Sequence, residues 1–477
     1  MLVQVQKLVH QRFILMCIPY NPVDSADNWF PFTSGVYLLI KWVIVMLKKY
    51  VSLFLCIFIS FTFLSACSSS SSHDLQATDE LIIYGPPGWE SVLNIPITQY
   101  ENLYPDVNIL YKSFGNYSSE AQLNFEQELY TELMAGKGPD VLLYSISTFP
   151  DVHKVFESGV LYNIDILINK DSAFSEQDYI KGIMEGGYYN DARYFIPLSC
   201  STAYLVAQKE QLNMANFQLS ETFNFCDWAD QAIKYLKNPS RDQRQTLFDP
   251  NNHPNFHMFL MFSGVPIINY ETKEICIDSH EFQAFVEFYK AIYPYTTNID
   301  GDFYTNLYDV ESRLESVIQG DYLFDFVVSD DYIVDVFQNN AINHPDILFT
   351  FPTFHYDEAM GMGGMVASIN NSSRNKKNAY DFIKILLSPT TQDYVFRSDS
   401  ILKSSKLKKF DEEYVDILSG NKKSTIPYVQ SIKFCVNFSK QLEKVVYTEL
   451  VPYFEDKISY EEAINSLFGK LELYLYE

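Results

Sequence analysis

Leu129-Tyr-Thr-Glu-Leu-Met-Ala-Gly-Lys-Gly-Pro-Asp-Val-Leu142 decides the fold. Phe125, Leu129, Leu133 and Met134 recur at helical spacing, so the stretch opens on the end of an amphipathic helix. Ala135 to Asp140 stops it, because two glycines and a proline cannot continue a helix. Val141-Leu-Leu-Tyr144 then runs apolar without alternation, the pattern of a strand buried on both faces. Working back, Glu80 to Tyr84 is a short apolar strand stopped by Gly85-Pro86-Pro87-Gly88. A helix is predicted from Glu90 to Tyr104, with Val92, Leu93, Ile97 and Tyr100 on one face and Pro96 near its first turn. Pro105-Asp106 breaks it, and Val107 to Tyr111 is the next strand. Apolar strands alternating with amphipathic helices imply a parallel sheet covered on both faces, an α/β domain. Ligands bind at the carboxyl ends of such strands, here the loops Gly85–Glu90, Gly115–Ser119 and Ser145–Phe149.

A second α/β block is predicted from Tyr194-Phe-Ile-Pro197 through a strand at Ala203–Ala207. Helices at Phe225–Leu236 and Phe282–Tyr293 and a strand at Tyr322–Val328 follow. Ile347–Phe351 and Met365–Ile369 read as strands around a Gly-Met-rich turn, and Asn375–Leu387 as a helix stopped by Pro389. The end is helical over Ser439–Phe454 and Ala463–Tyr476, the latter opened by the capping box Ser459-Tyr-Glu-Glu462.

Composition narrows the function. Of 477 residues, 47% are apolar and 20% charged, the balance of a globular chain. A net charge of −25 supplies no basic excess for phosphates or an anionic membrane, which argues against nucleic acid as a partner. The first 66 residues differ, with five basic and two acidic side chains against 30 and 58 in the rest. Lys48-Lys49, the apolar run Val51–Leu64 and Leu64-Ser-Ala-Cys67 have the order of a secretory signal. Ser68 to Ser72 then supply a flexible tether. The stretch Val36–Leu64 is also long enough to span a bilayer, but Lys48-Lys49 interrupts it. Met46 is the expected true start, which makes 1–45 an upstream extension, 46–66 a signal peptide and 67–77 the tether.

Seven scattered cysteines make no disulfide scaffold, and with no Cys-x-x-Cys spacing no zinc site is expected. Cys200, Cys226, Cys276 and Cys435 default to buried free thiols. Asn298-Ile-Asp-Gly-Asp302 has the look of a calcium loop, but Phe303 stands where that loop needs glycine. His253 and His257 lack the intervening Glu of a zinc protease. No cofactor motif, Ser nucleophile elbow or phosphate loop is present in the sequence, and no carboxylate pair rises above the general acidity. Asn116 and Asn437 head glycosylation sequons.

Four segments, in order, resemble the extracellular solute-binding proteins of bacterial sugar ABC importers, the maltose-binding-protein-like family. They are Tyr100–Ile109, Leu129–Leu142 continued to Val155-Phe-Glu-Ser-Gly-Val-Leu161, Phe195–Tyr204, and Met362-Gly-Gly-Met-Val-Ala-Ser-Ile369 with Asn375–Pro389. Tyr460–Ile464 also agrees with the family's C-terminal pattern. Leu-Ser-Ala-Cys67 resembles the lipoprotein signal, which implies lipidation of Cys67 and a chain anchored on the outer face of the cell membrane. The resemblance implies two lobes, each a mixed, mostly parallel sheet flanked by helices, joined by hinge strands and closing on ligand. It places lobe one at 78–193 and 347–370, and lobe two at 194–346 and 371–477. It implies a monomeric receptor, not an enzyme, that captures a hydroxylated solute such as an oligosaccharide and delivers it to a permease. A same-fold receptor for peptides or polyamines and a secreted carbohydrate-active enzyme are the alternatives.

Sugar receptors pair stacking aromatics with side chains that donate and accept hydrogen bonds. Trp89, in the first strand-end loop, is the stacking candidate. Tyr144 lies where the family often places a cleft aromatic, and as a strand residue it is equally a core residue. Asp140 is expected to cap backbone N–H groups. Ser199, Ser201 and Thr202 lie in the crossing segment, where the maltose receptor has a carboxylate near Ser201, a departure that argues against maltose. Asp325 is the cleft candidate beside Asp330 and Asp331. Gly361, Gly363 and Gly364 would let backbone approach ligand or hinge. Trp228, at helical spacing with Ala232 and Tyr235, reads as core.

Overall fold

A computed structural model describes residues 80–149, 151–217, 225–249, 256–295, 310–328, 347–350, 359–409, 413–416, 421–424, 430–434 and 439–476. The leader, Cys67, the tether, His253, the 298–303 loop, Asp330, Asp331, Cys435 and Asn437 lie outside the described residues. None of the helices searched, all among the described residues, is long and apolar enough to cross a membrane.

The chain begins as its hydrophobic pattern requires, with β1 (Glu80–Tyr84), α1 (Glu90–Leu103), β2 (Asn108–Lys112), α2 (Ser119–Met134), β3 (Val141–Ser145) and the short helix α3 (Val152–Glu157). The middle holds β4 (Ile196–Pro197), β5 (Cys200–Ser201), β6 (Ala203–Gln208), α4 (Phe225–Lys237) and α5 (Phe256–Ser263). After these come a hairpin of β7 (Ile268–Asn269) and β8 (Glu274–Ile275), α6 (His280–Ile292), α7 (Val310–Gln319), β9 (Phe324–Val328) and β10 (Ile347–Thr350). The last third contains β11 (Ala359–Gly363), β12 (Met365–Ile369), α8 (Lys376–Leu386), α9 (Lys403–Lys409), β13 (Ile432–Phe434), α10 (Lys440–Phe454) and α11 (Tyr460–Tyr476).

Five strands form the first sheet in the order β2-β1-β3-β12-β4. β1 runs parallel to β2 and β3, while β12 lies antiparallel between β3 and β4, with Val366 opposite Tyr144. The Gly-Pro-Asp turn is held as its sequence promised. Buried Asp140 accepts from the Ile82 N–H (2.9 Å), the Ser373 hydroxyl (2.5 Å) and the Asn375 amide (3.3 Å), which ties β1 and β3 to the start of α8. The second sheet, β9-β6-β10, is antiparallel, and a third, β13-β11-β5, crosses between the first two along the chain.

Helices α4, α5 and α6 cover the second sheet with an aromatic core. Trp228 is buried there with Phe248, Phe288 and Phe324 around it, as its spacing predicted. At the C-terminus the capping box forms in both directions, Glu462 N–H to Ser459 Oγ (3.2 Å) and Ser459 N–H to Glu462 Oε2 (2.8 Å).

Three segments sit differently from the expected lobe boundaries. β4 joins the first sheet through Ile196 opposite Ala367, so the first lobe keeps the chain past residue 193. β10 pairs with β6 in the second sheet, where Phe349 lies opposite Val206. Helix α8 belongs to the first lobe, where Phe382 meets Tyr100 of α1 at 5.7 Å.

Candidate functional site

The chain passes between the lobes at β5, and its neighbours there are β11 and the segment after Pro389. Leu198 donates to the Met365 carbonyl (2.8 Å) and the Met365 N–H donates to Ser199 Oγ (2.9 Å). A Cβ on Gly364 would collide with Ser199 Oγ and lie 2.8 Å from the Ser199 carbonyl oxygen; one on Gly361 would collide with Cys200 Sγ. Gly363 lies opposite Cys200 in the β11–β5 ladder. Gly361 and Gly364 thus let two stretches of protein backbone approach each other closely at the crossing.

Gly364→Ala is expected to cost about 1–3 kcal/mol by overpacking. Gly469→Ala, in α11 where a Cβ meets nothing, should gain about 0.5–1 kcal/mol from helix propensity. Urea-unfolding midpoints moving in opposite directions would check both.

Ser388 caps a short turn by accepting from the Thr391 N–H, with Pro389 in its first position. That turn widens into a π-helical turn over Gln392–Phe396, a geometry enriched at functional sites. Fully buried Gln392 fixes it, donating to the Leu198 and Leu386 carbonyls (both 3.1 Å) and accepting from the Ser400 hydroxyl (2.8 Å) and the Ile401 N–H (3.0 Å). Arg397 follows at φ +46° and ψ −116°, backbone that a side chain resists, and the three residues Arg397–Asp399 turn back toward β5.

This turn delivers two side chains. The Phe396 ring stands 6.3 Å from Trp89, tilted by 37°. Asp399 accepts the Ser201 hydroxyl at 2.8 Å. Beneath them, fully buried Lys406 donates to the Cys200 carbonyl (3.1 Å); burial lowers its pKa and the nearby Asp399 charge opposes that shift.

Trp89 itself heads α1 at the carboxyl end of β1, half-buried and making no side-chain cap. Next to it, Gly88 holds φ +82° and donates to the Gly115 carbonyl (2.8 Å), which brings exposed Tyr117 alongside. One turn thus sets the Phe396 ring beside Trp89 and the Asp399 carboxylate on Ser201, two pairs drawn from three separate stretches. Together they offer a partly exposed aromatic face, a carboxylate and a hydroxyl, groups able to stack on C–H surfaces and to bond ring hydroxyls.

The other expected site residues are buried. Tyr144 is fully buried and its hydroxyl bonds Ser368 (2.9 Å); burial pushes its pKa well up, and the ring is core. Asp325 is 2% exposed and paired with Arg313 of α7 at 2.5 Å, and its neighbours Phe324 and Phe326 in β9 are buried with it. Thr202 is fully buried and Ser199 nearly so, packed within the crossing. His257 meets Glu443 at 3.2 Å. Cys200, Cys226 and Cys276 are free thiols, and no cluster of three or more metal-ligating side chains occurs among the described residues. Sequence reasoning missed Phe396, Asp399 and Tyr117. The Ser388-Pro389 start of a new turn right after α8 was the signal that the chain re-enters the crossing there.

Residues 87–393 match a family model described as bacterial extracellular solute-binding protein. No curated protein sequence matches the chain. Among solved structures, the sugar-binding protein MalE from the phytopathogen Xanthomonas citri is 14% identical with a TM-score of 0.59, over 83% of this chain and 97% of that one. An ABC substrate-binding protein from Listeria monocytogenes in complex with cycloalternan is 13% identical with a TM-score of 0.54, over 83% and 98%. A cyclic α-maltosyl-1,6-maltose binding protein from Arthrobacter globiformis is 11% identical with a TM-score of 0.53, over 84% and 99%.

Proposed function

Since this chain belongs to the bacterial extracellular solute-binding protein family, we propose that it is the receptor of an ABC importer that captures an oligosaccharide-class solute between its lobes. The observation that carries this reading is that one turn sets Phe396 beside Trp89 and Asp399 on Ser201. Trp89 supplies the platform for a sugar ring. Asp399, and Ser201 Oγ whose proton is already given to Asp399, accept from the hydroxyls at its edge. Closure buries the solute, and the closed form is what the permease recognises; the bound sugar leaves chemically unchanged. In the same reading Cys67 carries the lipid that holds the chain, as a monomer, on the outer face of the membrane, with the serine run as its tether. Lobe one then runs from about residue 78 to the crossing at 197 and takes back β12 and α8, while lobe two holds 203–350 and the C-terminal helices.

A thermal-shift screen of the chain against mono- and oligosaccharides, amino acids, peptides and polyamines tests it. A ligand at a hundred times its Kd should stabilise the fold by about 2.7 kcal/mol. A sugar response with the sugar recovered intact supports the receptor. A response only to peptides or polyamines transfers the reading to another solute, and recovery of cleaved sugar overturns it.

A further inference from the structure

Away from the Trp89 site, α3 of the first lobe meets the β7–β8 hairpin and α11 of the second. His153 of α3 lies flat on Tyr270, ring centroids 3.6 Å apart and planes 14° from parallel. Lys273 pairs with Glu157 at 2.8 Å, Lys154 Nζ stands 5.5 Å over the Tyr474 ring, and Tyr270 and Tyr474 share a hydroxyl contact at 3.3 Å. His153 is 8% exposed, and neither ring nitrogen has a hydrogen-bond partner. A structural histidine in a core bonds at least one nitrogen; this one is held by its faces alone, at a seam between lobes.

We propose that the His153–Tyr270 stack is an acid-released latch between the lobes: the neutral imidazole lies on the phenol ring while the lobes are together, and protonation drives them apart. The groups facing His153 decide the sign. Asp151 and Glu157 of its own segment favour the cation. However, Asp151 Oδ1 is occupied by the N–H groups of His153 and Lys154, and Glu157 by Lys273 and by the Tyr189 hydroxyl (2.6 Å). Tyr189, Tyr270 and Tyr474 are phenols whose pKa values burial raises, so they stay neutral, and Lys273 and Lys154 bring positive charge. The tyrosine face could receive a cation, but both N–H groups would remain without acceptors. Desolvation therefore wins, and the imidazole pKa falls to about 4 with the lobes together.

With the lobes apart the ring regains its ordinary value near 6.5. A base whose pKa is lower in the closed form supports closure fully above 6.5 and loses that support as pH falls from there toward 4. Between pH 7.5 and 5 the closed-to-open ratio should drop about 30-fold. The use of the latch, letting solute go in acid, rests on the receptor reading; the opening itself does not.

Amide exchange of the full chain without solute, corrected for intrinsic rates, tests it. Protection over 152–157 and 268–275 should fall about 30-fold from pH 7.5 to 5, while β3 and β12 hold. His153→Phe keeps a stacked ring without a titrating group and should remove the fall. Tyr270→Leu removes the stack and should give low protection at both pH values, which decides the matter if the first variant does not fold. Constant protection in the wild type, or an unchanged fall in His153→Phe, overturns the latch. A chain that responds to pH but to no solute at any pH would sink the receptor reading and leave the latch standing.

Discussion

Trp89→Ala should lower affinity for the sugar at least about 30-fold while the protein stays folded, since a central Trp in a binding surface typically carries 2 kcal/mol or more. The residue is half-buried, so its loss removes a platform without opening the core. Phe396, nearly buried behind it, offers a ring but not an exposed face. Titration calorimetry with the best sugar of the screen measures the effect, and an unfolding curve run beside it separates lost binding from lost structure. Trp89→Phe should keep most of the affinity, because stacking needs a flat face more than an indole N–H. Equal binding by Trp89→Ala and wild type would move the site away from the β1–α1 loop.

Arg313→Met should cost about 3–5 kcal/mol, the largest stability effect expected from one substitution here. Arg313 and Asp325 are both nearly inaccessible, and Arg313 Nη2 also donates to the Phe326 carbonyl (3.2 Å). Burial already holds the Asp325 carboxyl above its ordinary range, with the guanidinium opposing that shift. Without the guanidinium the carboxyl rises further, and this fixes a sign. A carboxyl whose folded pKa is raised burdens the fold above that pKa, and the burden shrinks as pH falls toward the unfolded value. The variant's deficit should therefore narrow on acidification, opposite to the usual loss of a salt bridge. Urea titrations at two pH values would show it, and pairing Arg313→Met with Asp325→Leu should recover most of the loss.

The first lobe was legible because its signals are local. The apolar run at β3, the Gly-Pro-Asp turn and the Asp140 cap each act within a few residues, and the structure has them where the pattern put them. The candidate site was half legible. Trp89 stands out as a tryptophan in a Gly-Pro turn, which core packing explains poorly. Phe396 and Asp399 carry no such mark, since a π-turn has neither the period of a helix nor that of a strand. Asp325 misled for a related reason: flanked by Phe324 and Phe326, it reads as the polar side of a half-exposed strand, yet Arg313 of α7 covers that side. Which sheet owns β4 and β10 depends on pairing partners more than a hundred residues away, and no local pattern encodes that.

The N-to-C order of the chain acquires a meaning from β12. Its Ser368 hydroxyl meets Tyr144 across 224 positions of sequence, and until β12 is available β3 has a partner only on the β1 side. Until then an apolar strand edge stands open, a template for pairing with the wrong chain. A fragment ending near residue 350 should therefore self-associate, and one ending past α8 should not.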